Sequence, residues 1–408
     1  MIITPKIRGF ICTTAHPEGC AANVEQQINY VKNKQFTLNN PYQINRVLII
    51  GASTGYGLAS RIVTSFKYKA KTIGVFFERS ALPEKTGSAG WYNSAAFEQY
   101  AHAEGLYAKS INGDAFSVTI KEQVIDLINK DWANQGKIDL IVYSIASPRR
   151  IDPYSNLVYN SVLKPINQSY KDRTIDINTG KVSNIEISPA TTEEIEATIK
   201  VMGGEDLQLW VDYLHNAQLL SENCKVISYS YIGPKMTYPI YRNGTIGQAK
   251  EHLEKATQNI NHFLKTKYNG SAFVSVNKAL VTQASSAIPV VPLYISLLYK
   301  IMKYKNIHEG CIEQIYRLFS DYLYNKNPIL LDQQGRIRID DLEMRDDVQE
   351  EIYKLWSDAI TTENIDLIAD LSGYRNDFYK LFGFQVPGVD YNKDCNIDMP
   401  IPSLVEYA

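Results

Sequence analysis

Val47-Leu48-Ile49-Ile50-Gly51-Ala52-Ser53-Thr54-Gly55-Tyr56-Gly57 is the stretch on which the fold turns. Four consecutive apolar residues, without the alternation of a half-exposed strand, read as a strand covered on both faces of a parallel sheet. Glycines at Gly51, Gly55 and Gly57 follow, and a helical pattern runs from Gly57 to Phe66. Glycine lets the chain turn sharply and lets backbone approach a pyrophosphate. The first turn of a helix adds unpaired N–H groups and positive dipole charge. The candidate dinucleotide contacts are Gly51, Ala52, Ser53, Thr54, Gly55 and Tyr56. A plain tight turn is the alternative, and the position between strand and helix argues against it.

Outward from this turn, further strands are expected at Thr72–Phe77, Leu106–Ile111, Ile138–Ser144, Lys225–Ser230 and Phe273–Val276. Helical patterns at Asn93–Ala103 and Thr119–Ala133 separate the early ones. That rhythm predicts an α/β fold, a doubly wound parallel sheet of Rossmann type with helices on both faces. Two stretches break it, at about 148–220 and 320–408. The first holds an expected hairpin, Thr174–Asn178 with Val182–Ile187, and helices from about Glu193 and Glu205. Thr191-Thr192-Glu193-Glu194 has the capping-box pattern. In the second, Ile329–Ile339 reads as another hairpin, followed by a helix at Asp346–Trp356. Neither is bounded by a linker, so 1–408 is expected to be one enlarged domain with a substrate-side insertion and a C-terminal extension.

Composition excludes several classes. The 408 residues are 45% hydrophobic and 21% charged, the range of a globular protein rather than a disordered or fibrous one. Forty-two Lys and Arg against 44 Asp and Glu give a net charge of −2, without the cationic excess that nucleic-acid binding needs. Cys12, Cys20, Cys224, Cys311 and Cys395 are few and odd in number, unlike a secreted disulfide framework. The N-terminal residues show no apolar signal region. The longest apolar run, Ala287–Tyr299, is too short to span a bilayer and is broken by Pro289 and Pro292. A cytoplasmic protein without stable membrane association is expected. Cys12, His16 and Cys20 are close in sequence but lack a fourth ligand, so no metal is expected. The remaining histidines, His308 among them, are read as scattered, mostly on polar helical faces.

At the end of the second strand, Phe77 and Glu78 lie some twenty residues beyond the turn, where an acid suits the ribose hydroxyls of NAD and repels the 2′-phosphate of NADP. Arg79 next door softens that repulsion. Asp114 and Ala115 after the third strand are placed for the adenine, and Ile145 and Ala146 after the fourth for the ribose and nicotinamide. After the fifth strand, Tyr241 and Lys250 are separated as Tyr-x8-Lys. A tyrosine hydroxyl can serve a substrate carbonyl, and a lysine charge can hold the ribose and lower the phenol's pKa. On one continuous helix nine residues are about two and a half turns, which sets the two on opposite faces. They share a site only if the chain between them is irregular. Asn243-Gly244 signals a turn there, and Thr245-Ile246-Gly247-Gln248 fits a capping box. With 28 tyrosines in the chain, chance proximity is the competing explanation.

The glycine spacing resembles that of short-chain dehydrogenase/reductase folds, and over nearly the whole chain the sequence resembles a FabV-type trans-2-enoyl-CoA or enoyl-acyl-carrier-protein reductase. Carrying the resemblance are Arg8-Gly9-Phe10-Ile11-Cys12-Thr13-Thr14-Ala15-His16-Pro17, the glycine turn, Gly90-Trp91-Tyr92-Asn93 and Tyr143-Ser144-Ile145-Ala146-Ser147-Pro148-Arg149-Arg150. Tyr241-x8-Lys250, Gly335-Arg336-Ile337-Arg338 and Gly388-Val389-Asp390-Tyr391 complete it. The resemblance implies a monomeric, NADH-dependent reductase of the 2,3 double bond of an enoyl thioester, carried on CoA or acyl-carrier protein, in fatty acid biosynthesis. It implies Tyr241 and Lys250 as catalytic residues, Tyr231 as a second tyrosine on the substrate side, and Leu280, Val281 and Thr282 against the nicotinamide. The apolar run Ala287–Ile295 is expected to cover the acyl chain. A ketoreductase of the same superfamily and a non-catalytic dinucleotide-binding sensor remain alternatives.

Overall fold

The protein is described from a computed structural model covering residues 1–9, 11–34, 44–132, 136–325, 327–357 and 360–406. Two sequence-level expectations, Phe10 in the N-terminal motif and Ala133 at a helix end, lie outside those residues.

The apolar run after Asn45 forms β1 (Arg46–Ile50). Its side chains alternate between two separate cores, Val47 and Ile49 in one, Leu48 and Ile50 in the other. Both faces of β1 are therefore covered, which explains the unbroken apolarity. Burial of each such side chain contributes about 1.5–3 kcal/mol. The other strands of the main sheet are β2 (Lys71–Phe76), β3 (Ala108–Asn112), β4 (Ile138–Tyr143), β5 (Leu220–Ser230), β6 (Ser271–Val276) and β7 (Ile337–Arg338). They lie in the order β3-β2-β1-β4-β5-β6-β7, with every neighbouring pair parallel. The order reverses between β1 and β4, and in such sheets the crevice at that reversal, beyond the carboxyl ends of the strands, binds ligand.

The helices are α1 (Pro17–Asn33), α2 (Gly55–Ile62), α3 (Ala89–Ala103), α4 (Val118–Trp132), α5 (Thr192–Met202), α6 (Glu205–Asn216), α7 (Thr245–Tyr268), α8 (Val291–Tyr304), α9 (Cys311–Arg317), α10 (Asp346–Ser357), α11 (Ile365–Ile368) and α12 (Leu371–Lys380). Leu58 and Ile62 of α2, Phe97 of α3 and Leu297 of α8 fill the core on one face, and Trp132 of α4, Trp210 of α6 and Ile260 of α7 fill the other. The capping box at Thr191 is formed in both directions: the Glu194 amide donates to Thr191 Oγ1 at 3.2 Å, and the Thr191 amide donates to Glu194 at 3.0 Å.

Three local expectations are corrected. Ile329–Ile339 is not a hairpin. Asp332 does make a turn, accepting from the amides of Gln334 and Arg336, but Ile337–Arg338 then pairs in parallel with Ser275–Val276 as the sheet's edge strand. The hairpin near Thr174 pairs Tyr170–Ile175 with Val182–Ile187, so its first strand starts earlier and stops short of Asn178. There the Asp176 carboxylate takes the amides of Asn178 and Thr179 and folds them into the turn. Thr245 does not cap α7. Gly244 is the N-cap, and the Thr245 hydroxyl donates instead to the Val162 carbonyl.

Candidate active site

The turn after β1 is shaped by contacts that leave no room for a side chain at Gly51 and Gly57. The amides of Gly51 and Ala52 both donate to Val75 O, at 2.8 and 3.0 Å, drawing the turn onto β2. Gly51 has φ +89°, and a Cβ there would lie 2.1 Å from Ser144 O; one on Gly57 would lie 1.9 Å from Gly51 O. Gly51, Ser53, Thr54, Gly55 and Tyr56 line a cavity of about 1010 Å³. Ala52 is fully buried beside Gly74, beneath the turn and off the cavity wall. The first turn of α2 thus opens on the cavity with a backbone surface suited to phosphate.

Along the same wall, Ser53 donates to Glu78 Oε1 at 2.6 Å, which fixes the carboxylate at the end of β2. Asn112 clamps the Glu78 backbone, accepting from its amide and donating to its carbonyl, both at 2.8 Å. Phe77, 79% exposed, together with Asp114, Ala115, Ile145 and Ala146, continues the lining. Glu78, Phe77 and Ala115 are the residues at this end of the cavity that could hold the ribose and adenine of a dinucleotide.

Tyr241 lies outside α7, in the irregular turn 238–244. That turn is held by Asn243 N to Tyr238 O at 2.7 Å and by Gly247 N to Tyr241 O at 3.0 Å. Gly247 is needed there, since a Cβ would fall 1.8 Å from Arg242 O. Lys250 follows in the second turn of α7. The break in helical geometry brings Tyr241 and Lys250 onto the wall of one cavity, together with Tyr231. The rings of Tyr231 and Tyr241 meet edge to face with centroids 5.0 Å apart. Lys250 Nζ donates to Tyr229 O at 3.2 Å. Burial pushes the Lys250 ammonium down to about 8, with Glu254 opposing, and burial raises the Tyr241 phenol.

Beyond β6, Leu280, Val281 and Thr282 also line the cavity, with Thr282 held by Ser285. Ile288, Val291 and Ile295 present an apolar wall from the start of α8. Sequence reading missed Lys278, Tyr299, His308 and Cys311, which converge on the same cavity from separate elements. His308 is not on a polar helical face: it follows α8, packs edge-on to Tyr299 with centroids 4.4 Å apart, and burial lowers its pKa to about 3. No local pattern marks these four, because their proximity is made by the tertiary fold.

Cys12 and His16 have other partners, and Cys20 is buried in the core. His16 caps α1, accepting from Gly19 N at 3.2 Å, and Cys12 donates to Thr14 O at 3.2 Å. Among the described residues no group of three His, Cys, Asp or Glu side chains could hold a metal, and no helix is long and apolar enough to cross a membrane.

A parallel sheet of this order, with a pyrophosphate cradle facing a phenol and an ammonium, belongs to a nicotinamide-dependent oxidoreductase. Comparison with known proteins names the kind. A model of the trans-2-enoyl-CoA reductase catalytic region matches residues 85–324, and one of the NAD(P)H binding domain of trans-2-enoyl-CoA reductase matches residues 2–82. The enoyl-[acyl-carrier-protein] reductase [NADH] of Coxiella burnetii is 59% identical over 99% of this chain and 98% of its own length. The trans-2-enoyl-CoA reductase [NADH] of Ruminiclostridium cellulolyticum is 55% identical over 99% and 100%. The crystal structure of a Clostridium trans-2-enoyl-CoA reductase in complex with NADH, 45% identical, superposes over 100% of both chains with a TM-score of 0.93. This chain belongs to the trans-2-enoyl-CoA reductase family and is an NADH-dependent enoyl-thioester reductase.

A third match, an enoyl reductase FAD binding domain, spans residues 331–395. Those residues do not fit a flavin dinucleotide. Among the described residues there, the one strand, Ile337–Arg338, leads through Asp340 and Glu343 rather than a glycine turn, and no glycine-rich strand–turn–helix unit occurs. No step is assigned to a flavin.

Proposed function

We propose that Tyr241, Lys250 and Tyr231 form the reacting end of this reductase, and that the thioester is presented to them from CoA or from acyl-carrier protein. One observation carries the assignment: the phenol, within an irregular turn, and the ammonium, in the helix that follows it, share one cavity with the glycine turn. NADH bound there supplies a hydride to the β-carbon of the enoyl group. Gly51, Ser53, Thr54, Gly55 and Tyr56 would hold its pyrophosphate, Phe77, Glu78, Asp114 and Ala115 its adenosine, and Ile145, Ala146, Lys250, Leu280, Val281 and Thr282 its nicotinamide half.

Tyr241 donates a hydrogen bond to the thioester oxygen as negative charge gathers on it. A donor fixed in a water-poor cavity stabilises that charge more than water does. Its buried hydroxyl keeps its proton at neutral pH, as a donor must. The Lys250 charge would hold a ribose hydroxyl and lower the Tyr241 phenol's pKa against the burial that raises it. The wall of Ile288, Val291 and Ile295 covers the acyl chain and excludes water. The chain acts as a monomer in the cytoplasm, as one enlarged Rossmann-type domain.

NADH oxidation is measured with crotonyl-CoA, with crotonyl-acyl-carrier protein and with acetoacetyl-CoA. Turnover of the two enoyl thioesters with little on the ketone supports the proposal. Preferred reduction of acetoacetyl-CoA would make the protein a ketoreductase, and NADH binding without any turnover would make it a sensor.

A further inference from the structure

Behind Tyr231, away from the cavity, sits the carboxyl group of Glu343. It lies in the loop between β7 and α10 and is fully buried. Oε1 contacts two phenols, Tyr231 Oη at 3.2 Å and Tyr294 Oη at 2.7 Å, and Oε2 accepts from Ala279 N at 2.7 Å. Gln349 Nε2 donates to Tyr294 Oη at 3.2 Å and to Glu343 O at 2.7 Å. These contacts fix directions. Because Tyr294 receives from Gln349, its own proton goes to Glu343 Oε1, and Oε2 is taken by the Ala279 amide. A proton on the carboxyl group is therefore left one partner, Tyr231 Oη.

We infer that Glu343 is a proton-holding positioning residue, which acts through Tyr231 to protonate the α-carbon of the substrate. The inference rests on Tyr241 and Tyr231 marking the reacting end of the cavity. When Glu343 is ionised, Tyr231 donates backward to it and has no proton for the cavity. When Glu343 is protonated, it donates to Tyr231, and the Tyr231 hydroxyl turns toward the substrate. After hydride addition the substrate is an enolate. Its α-carbon forms a C–H bond with the Tyr231 proton as the Oη–H bond breaks. The electron pair left on Oη takes the proton from Glu343 Oε1, leaving the carboxylate. After product leaves, a proton from bulk solvent, relayed by water in the cavity, binds Tyr231 Oη as the Tyr231 proton passes to Glu343 Oε1, which restores both groups. Tyr241 stays the hydrogen-bond donor to the thioester oxygen, so the two tyrosines have separate tasks.

The charged and titratable groups facing Glu343 are Tyr231, Tyr294, Lys278, Asp340 and Tyr56. Burial raises the Glu343 pKa and Asp340 adds to this, while Lys278 and the Tyr294 hydrogen bond oppose. Asp340 is itself paired with Arg338, at 2.8 and 2.6 Å. Lys278, with Nζ on Ala279 O at 2.8 Å, provides a positive charge nearby for the carboxylate left after proton transfer. The raised value keeps a proton available toward neutral pH, and turnover is lost as pH rises through it.

The test uses Glu343→Gln and Tyr231→Phe in the full chain, with crotonyl-CoA and NADH. Glutamine keeps hydrogen-bonding atoms but has no proton to transfer. The expected result for each variant is a kcat lower by about a hundredfold, NADH affinity unchanged, and loss of the wild-type decline of kcat at high pH. The double variant should be no worse than either single one. Wild-type kcat with the alkaline decline retained in Glu343→Gln would overturn the inference, as would multiplying losses in the double variant. If Glu343→Gln does not fold, Tyr231→Phe decides alone by the same two readouts. Tyr241→Phe separates the two assignments. If it is impaired while Glu343→Gln is normal, only the relay falls; if it has full turnover, the site itself is misassigned.

Discussion

Replacing Gly57 by alanine adds a single carbon at the tightest point of the cofactor cradle. That carbon would sit 1.9 Å from the Gly51 carbonyl oxygen and 3.3 Å from Ser144 Cβ. Neither the turn nor the start of α2 has a flexible side chain to give way, so backbone must move by about 1 Å to restore an ordinary contact. Overpacking of this kind costs about 1–3 kcal/mol of stability. The displaced segment carries the amides proposed to face the phosphates. Losing one hydrogen bond to a charged group costs about 1.5–3 kcal/mol, or about ten- to a hundredfold in affinity. The assay is titration of NADH by its fluorescence, beside thermal unfolding of the same protein. Gly105→Ala is the control. Gly105 has φ +70° and open space around its Cβ position, so alanine there pays only the strain of the left-handed conformation, about 1–2 kcal/mol. It should lower the melting temperature and leave NADH affinity alone. Gly57→Ala binding NADH as tightly as wild type would refute the cradle.

Lys250, lowered to about 8 by burial, should lose its charge as pH rises past that value, so kcat/KM for NADH should decline there. Lys250→Arg should move the decline upward, and an unmoved decline would assign it to another group. The same shift bears on stability: between pH of about 8 and the usual lysine range the unfolded chain binds the extra proton, so burial of Lys250 and Lys278 makes stability rise with pH across that window, read by denaturant titration. Glu98→Ala strips the partner from Arg61, which is fully buried and also donates to Ser110 Oγ and Lys109 O. An uncompensated buried guanidinium should cost about 3–5 kcal/mol, and a loss under about 1 kcal/mol on urea unfolding would contradict this. Glu78→Ser should raise NADPH affinity by about tenfold relative to NADH, the effect of removing one repulsive charge beside the 2′-phosphate; an unchanged ratio would show that Glu78 does not face that hydroxyl.

The sheet was readable because its determinants are local. Val47–Ile50 serves two cores at once, and that requirement is written in four adjacent residues. The glycine turn was readable because Gly57 answers a clash with Gly51 inside the strand–turn–helix unit and Gly51 and Gly55 answer positive φ, although the close approach of Ser144 to Gly51 comes from the end of β4. The failures share a different cause. Asp332 and Gly335 do make the turn that their types predict, but the partner of Ile337 is Ser275, some sixty positions away, and nothing beside Ile337 names it. Thr245 has the residues of a cap, yet its hydroxyl is claimed by Val162 across the structure. Within the site, Tyr241 and Lys250 were found by spacing and by the turn signal between them. Lys278, His308 and Glu343 were not found, because each stands among other polar residues with nothing local to single it out, Glu343 within the charged run Asp340–Asp347, and acquires its surroundings only when β6, α8 and the C-terminal segment pack together.

The central claim is that the Tyr241 hydroxyl carries the charge of the transition state in a cavity built for NADH. Tyr241→Phe, assayed with crotonyl-CoA beside direct NADH titration, tests it most directly. Turnover should fall by about a hundredfold or more, the loss expected when one oxyanion donor is removed, while NADH binds as before. Wild-type turnover by the phenylalanine variant would contradict the claim.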